Sequence, residues 1–257
     1  MTQPEIEEIQ VRYGKGPSFA TDVAVVTARF VRDEVDLRLL LIERGNKPFQ
    51  GLWALPGGFV ELAEDLEPAA RRELREETGI QDLGDIPLEQ VGAFGNPTRD
   101  PRARVISVVY LAWVREDLLP TPHGEDDAAD AAFVRLRDGV AVDEHEMPLP
   151  LAFDHDQVLL ALWKRMQQQS VTSSIPLRVL PDPFSTEQLV AFYEALHGPT
   201  DRDALVSWMQ ASGWIRSVGA GWSMASVPQE KSLPWNRPPI SGLCPRCLNA
   251  HHAAHRI

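Results

Sequence analysis

Cysteine is nearly absent. The chain has two cysteines among 257 residues, both near its C-terminal end, so no disulfide framework holds it together. No run of about 18 apolar residues occurs, which excludes an apolar membrane-spanning helix. The N-terminal segment MTQPEIEEIQ is acidic and polar, unlike the basic and apolar start of a secretory signal. A reducing, cytoplasmic setting with no membrane partner is therefore expected. Cations are the minority charge: 25 Lys+Arg stand against 37 Asp+Glu, a net charge of −12. That balance argues against a general nucleic-acid binder, although a regional count must decide. No internal repeat, nucleophile elbow, zinc-protease pair or phosphate-binding Gly-rich loop is found.

What is present describes a folded chain. Hydrophobic residues make up 44% and charged residues 24%, close to the globular average. Charge is uneven. Residues 1–150 hold 16 Lys+Arg against 29 Asp+Glu, while residues 151–257 hold 9 against 8. The proline-rich Met147-Pro148-Leu149-Pro150 lies at the change. Three regions are expected: a unit over 1–150, a smaller unit over 151–226, and a Pro-rich tail over 227–257. In the first, 20–31, 37–42, 104–114 and 131–136 read as strands from their β-branched and apolar runs. Between them Asp65 to Thr78 reads as a helix, with Asp65 as N-cap and Gly79 as the stop. Strands mixed with a few helices suggest a layered α/β domain.

Within that helix Glu73, Glu76 and Glu77 stand at i, i+3 and i+4 and share one face. Alone they repel; a divalent cation reverses the sign, and carboxylates suit Mg²⁺ or Mn²⁺. Gly58, without a side chain, leaves its carbonyl approachable by a metal. The plainer alternative is a solvated face paired with Arg71, Arg72 and Arg75. The whole segment, GFVELAEDLEPAARRELREETGI from Gly58 to Ile80, fits the Nudix box at every specified position. A chance match is on the order of one in a million at ordinary residue frequencies.

The chain thus resembles the Nudix hydrolases, and the resemblance implies an αβα sandwich that cleaves a nucleoside diphosphate linked to a further group. It implies Glu73, Glu76, Glu77 and the Gly58 carbonyl as metal ligands, Arg72 as the residue orienting the glutamates, and Glu64 as a tie between loop and helix. The cation would neutralise the diphosphate and activate water. Glu76 is the favoured general base within the box. A later acidic loop is the alternative, with Glu125 or Asp127 as candidates. The flanking Glu43-Arg44-Gly45-Asn46, Pro48 to Val60 and Thr98 to Ser107 resemble the ADP-ribose pyrophosphatase branch. Arg99, Arg102 and Arg104 cluster before a strand, and arginine forks suit phosphates; surface ion pairs are the alternative. Phe49, Trp53 and Phe94 are candidates to stack on a base, or to pack in the core. His123, His145, His155 and His197 read as surface or core residues.

Residues 154–226 read as three helices and a hairpin. Asp154 to Gln168 carries an apolar stripe; Ser185 and Gln188 form a capping box ahead of the second helix; Thr200 with Asp203 opens the third; a hairpin follows from Trp214. The order suggests a winged helix-like α+β domain and resembles NrtR-type regulators, which fuse a Nudix domain to a winged helix. Leu151 to Asp156 looks like their interdomain junction, and a homodimer is implied. Two departures matter. Many such regulators have a degraded box, and this box is intact. A DNA-reading helix carries cations, yet Asp201 to Gln210 holds one Arg and two Asp. DNA is therefore disfavoured, and a hydrolase of ADP-ribose or a related compound ranks above a regulator. In the tail, Cys244, Cys247, His251 and His255 are zinc-type residues without the usual intervening finger loop. Zinc there ranks below an unstructured tail.

Overall fold

The computed structural model describes residues 16–31, 34–80, 83–124 and 128–225. Ten strands and four α-helices follow one another: β1 (Ser18–Val31), β2 (Glu34–Arg44), β3 (Trp53–Ala54), β4 (Gly57–Phe59), α1 (Leu66–Thr78), β5 (Glu89–Phe94), β6 (Val105–Trp113), β7 (Ala128–Arg137), β8 (Val140–Val142), α2 (His155–Ser170), α3 (Thr186–His197), α4 (Arg202–Ala211), β9 (Ile215–Val218) and β10 (Gly221–Met224). Single 3₁₀ turns occupy Glu116–Leu118 and Ile175–Val179.

Eight strands form one mixed sheet in the order β5-β6-β1-β2-β7-β8, with β3 beside β2 and β4 beside β1. The β1–β6 pair is parallel, and the other pairings are antiparallel. The period of two along β1 builds two cores. Val23 and Val25 face α1 with Leu40, Ala70, Leu74 and Tyr110. Ala24 and Val26 face the other way, into a cluster with Leu39, Leu111, Trp113 and the α2 stripe Val158, Leu159, Leu162, Trp163 and Met166. The sheet is thus covered on both faces, which makes the expected αβα sandwich. Each large apolar side chain buried this way contributes roughly 1.5–3 kcal/mol.

The second helical layer includes α2, which begins after residue 150. A division at 150 would separate a covering helix from its sheet. The junction is also hydrogen-bonded to the sheet: Trp53 N–H donates to the Pro150 carbonyl at 3.0 Å, and Ala152 N–H donates to the Trp53 carbonyl at 2.8 Å. The apolar core continues without a break through α2 into α3 and α4, by way of Phe192, Tyr193, Leu205 and Met209.

The last elements are three helices and a hairpin, as the patterning predicts. The capping box at α3 is present, with Ser185 and Gln188 bonded reciprocally. The cap of α4 is Asp201, whose carboxylate accepts the Ala204 N–H at 2.9 Å, rather than Thr200. Thr200 instead donates its hydroxyl to the Gly198 carbonyl. Trp208 and Trp214 meet edge-to-face at 5.1 Å between α4 and β9. Among the described residues no helix is long and apolar enough to cross a membrane.

Candidate active site

The site begins with the way α1 is held. The Asp65 carboxylate accepts the Leu66 N–H at 2.7 Å, capping the helix. Gly79 ends it at φ 68°, a left-handed conformation that glycine takes without penalty. One helical face then points at β4, whose strand lies antiparallel to β1 with Asp22 opposite Gly57. A side chain at Gly57 would overlap the Thr21 carbonyl, and one at Gly58 would overlap the Glu73 carboxylate. Gly58 therefore lets this strand lie against the acidic helix, and Gly57 lets it lie against β1.

Arg72 organises the carboxylates. Its Nε and Nη2 donate to both oxygens of Glu64, at 3.0 and 2.8 Å. Its Nη1 donates to Glu73 at 2.8 Å and to Glu76 at 3.0 Å, and Nη2 also reaches the Phe59 carbonyl. The hydrogen bond from Arg72 holds the Glu64 carboxyl below its ordinary range. Burial raises Glu73, against the pull of Arg72. Glu77 is more extreme. It is buried, accepts the Gly57 N–H at 2.8 Å, and is pushed up to about 8 by burial, with Glu73 and Asp22 adding like charge.

Gly57, Gly58, Arg72, Glu73, Glu76 and Glu77 line a cavity of about 270 Å³ with Asp22, Arg44, Arg99, Arg102, Phe153 and His155. The donor set is hard oxygen, suited to Mg²⁺ or Mn²⁺. Two observations fit such a cation: the absent Cβ at Gly58, and carboxyls raised by burial and neighbouring like charge, which a divalent cation would offset. Among the described residues no three His, Cys, Asp or Glu side chains are already gathered around one point. Arg72 spans Glu73 and Glu76 instead and supplies the positive charge there.

The expected substrate residues divide. Arg102 lines the cavity, pairs with Asp100 at 2.7 Å, and lies 5.3 Å from the Phe59 ring and 5.8 Å from the Phe153 ring. Arg99 also lines it, but its guanidinium is buried and turned into Asp154, with Nε at 3.0 and 3.1 Å and Nη2 at 2.8 Å. It acts as a strut between the loop before β6 and the start of α2. Arg104 is not among the residues that line the cavity; it donates to the carbonyl of Val105, which does line it, beside Gly95. Phe49 lines an adjoining shallow depression with Lys47, Gln50 and Arg102. Trp53 packs against the core below the junction. Glu125 and Asp127 lie outside the described residues, as do Cys244, Cys247, His251 and His255 and the tail they belong to.

Asp22, Ser107, Arg44, Phe153 and His155 were not singled out for the site by sequence. Ser107 donates to the buried Asp22 carboxylate. His155 Nδ1 accepts the Leu55 N–H at 3.1 Å, and burial lowers its pKa, so the ring is neutral. The signal available for Asp22 was a lone acid in an otherwise apolar strand.

A family model for the NUDIX domain matches residues 21–162, so the chain belongs to the Nudix family. It is 34% identical over 190 residues to a protein of Acinetobacter baylyi described as an ADPR responsive transcriptional repressor NtrR, covering 71% of this chain and 67% of that one. It is 42% identical over 129 residues to an ADP-ribose pyrophosphatase of Methanocaldococcus jannaschii, covering 49% and 66%. The chain thus spans about two thirds of the length of each relative. The crystal structure of Shewanella oneidensis NrtR complexed with a 27mer DNA superposes with a TM-score of 0.61 at 27% identity, covering 80% of this chain and 92% of that one.

Proposed function

We propose that the protein is a metal-dependent pyrophosphohydrolase that cleaves the diphosphate of ADP-ribose, or of a related nucleoside diphosphate compound. From ADP-ribose the products would be AMP and ribose 5-phosphate. The observation that carries this reading is the intact acidic face of α1, with Arg72 bridging Glu64, Glu73 and Glu76. Glu73, Glu76, Glu77 and the Gly58 carbonyl would hold Mg²⁺ or Mn²⁺. Such a cation supplies charge neutralisation at the diphosphate and a more acidic water. Arg72 keeps the glutamates oriented, and Glu77 is fixed through the Gly57 N–H. Glu76, half exposed at the cavity, is the general base of choice; Glu125 or Asp127 are the alternatives. Arg102 and Phe49 lie where they can meet the substrate beyond the glutamates, and a homodimer is the working assembly.

A second reading is favoured by one observation. The similarity covers 71% of this chain for the repressor and 80% for DNA-bound NrtR, more than the span 21–162 that the NUDIX model matches. In that reading the pocket senses ADP-ribose and the last three helices contact DNA. Against it stands the charge of α4. Its Arg202 is paired with Glu187 at 2.6 Å, and Asp201 caps it. The test is incubation with ADP-ribose and Mg²⁺, with nucleotides resolved by chromatography. Steady AMP release is expected. Tight ADP-ribose binding without any product would move the assignment to the sensor.

A further inference from the structure

Phe153, in the loop joining β8 to α2, and His155, the first residue of α2, line the glutamate cavity, with Asp154 between them. Asp154 is clasped by Arg99, and His155 accepts the Leu55 N–H. Phe153, before them, has φ 56°. A bulky residue in the left-handed region persists only where its surroundings over-determine it, and such positions cluster at functional sites. Here the clasped residues fix the backbone, and the ring is held by what it touches. The Arg44 guanidinium lies 4.9 Å from the Phe153 centroid and that of Arg102 5.8 Å from it. The edge of Phe49, itself at φ 65°, packs at 4.9 Å.

Four arginines line the cavity, and they differ in what they hold. Arg72 is spent on Glu64, Glu73 and Glu76, and Arg99 on Asp154. Arg44 and Arg102 both lie over the Phe153 ring, and Arg102 is also ion-paired with Asp100 at 2.7 Å. Guanidinium planes stack on aromatic rings while their edges still donate hydrogen bonds. A ring that two guanidinium groups contact steadies both without adding a counter-charge of its own. Arg44 is steadied further by donating Nε to the Pro48 carbonyl at 3.0 Å.

We propose that Phe153 is a positioning residue for anion binding: its ring holds Arg44 and Arg102 toward the glutamate cavity, where they grip the diphosphate of the substrate. The pocket is then completed by the segment that opens α2. This rests on the hydrolase reading only for the identity of the substrate; the diphosphate grip stands on the geometry. Because such a grip acts alike on bound substrate and transition state, its loss raises KM and leaves kcat nearly unchanged.

The experiment compares wild type, Phe153→Leu, Phe153→Tyr, Arg102→Lys and the Phe153→Leu/Arg102→Lys pair in the full chain with Mg²⁺. Calorimetry measures inorganic diphosphate binding, and steady-state kinetics measures ADP-ribose turnover. Phe153→Leu is expected to weaken diphosphate binding about tenfold and to raise KM by a similar factor, with kcat within about threefold. Phe153→Tyr restores both. Arg102→Lys, which keeps the charge and the backbone but loses the stacking plane, repeats the defect even if Phe153→Leu folds poorly. The double variant should lose little more than either single one, because both break one device. Wild-type affinity for diphosphate in Phe153→Leu overturns the proposal, as do failed rescue by Phe153→Tyr, strictly additive losses, or no diphosphate binding by the wild type. A wild type that binds diphosphate but neither binds nor cleaves ADP-ribose sinks the hydrolase reading for that substrate, while the diphosphate series still decides the role of Phe153.

Discussion

The acidic face of α1 and the helices α3 and α4 are opposite solutions to burial. Around α1, polar atoms are crowded. Glu73 and Glu77 have raised pKa values because burial opposes their charge, and one guanidinium bridges three carboxylates. Around α3 and α4, Leu189, Phe192, Leu205 and Met209 are fully buried apolar side chains, and the charges stay outside in pairs such as Arg202 with Glu187. The first arrangement costs stability and offers chemistry. The second gives stability and presents few cations to a partner. Strain concentrated in one region and ordinary packing in the other is how a stable scaffold carries an active site.

Substitutions can break that contrast. The largest effect on function is expected for Arg72→Ala, which strips Glu64, Glu73 and Glu76 of their common partner. Turnover should fall about 10²-fold or more, read by steady-state kinetics, and a smaller loss would mean the glutamates orient themselves. Leu205→Ala is the counterpart in α4. It should destabilise the fold by roughly 2–5 kcal/mol in urea unfolding while leaving the rate per folded molecule intact. A matching loss of rate would show that the two regions are not independent.

A subtler effect concerns pH. Glu77 titrates near 8 in the folded, metal-free protein and near 4.3 when unfolded. The folded state therefore binds the extra proton between those values, and stability falls as pH rises through that window. Glu77→Gln keeps an acceptor for the Gly57 N–H and removes the charge. It should raise the melting temperature of metal-free protein at pH 8, flatten its decline from pH 5 to 8, and abolish turnover. An unchanged pH profile would contradict a raised Glu77 pKa as the source of the alkaline decline. On the acid side, His197 is lowered to about 4 by burial and titrates near 6.5 unfolded. Its contribution is complete above 6.5 and is lost as pH falls toward 4. His197→Gln should therefore reduce acid lability in that interval, by less than Glu77→Gln changes the alkaline limb. The smallest effect is expected at Arg202, whose pair with Glu187 is exposed. Arg202→Ala should leave folding and turnover within error, and a large change in DNA retention at low salt would give α4 a role that its charge argues against.

Much of this contrast was legible in the sequence because it is local. Asp65, the glutamates and Gly79 lie within one helix and its caps, and their spacing alone puts them on one face. The Ser185–Gln188 box is local too. Contacts made across the fold were not legible. Arg99 looked like a phosphate fork because the partner that claims it, Asp154, is 55 residues away. Phe153 carries no signal of its own, since nothing in a sequence marks a phenylalanine at φ 56°. Asp22 meets Glu77 only because β1 pairs with β4. The cap of α4 was misplaced by one residue because Thr200 and Asp201 are both good caps, and only the tertiary position of the turn chooses between them. The strand Glu89–Phe94 lacks a clean alternation, and its register shifts between Gln90 and Gly92.

The most direct measurement is AMP release from ADP-ribose with Mg²⁺ by the wild type and by Glu76→Gln, with ADP-ribose affinity measured on both. Steady release by the wild type is expected, with a loss of about 10²-fold or more in the variant and the nucleotide still bound. Binding without release by the wild type, or equal rates in the two proteins, would contradict this expectation.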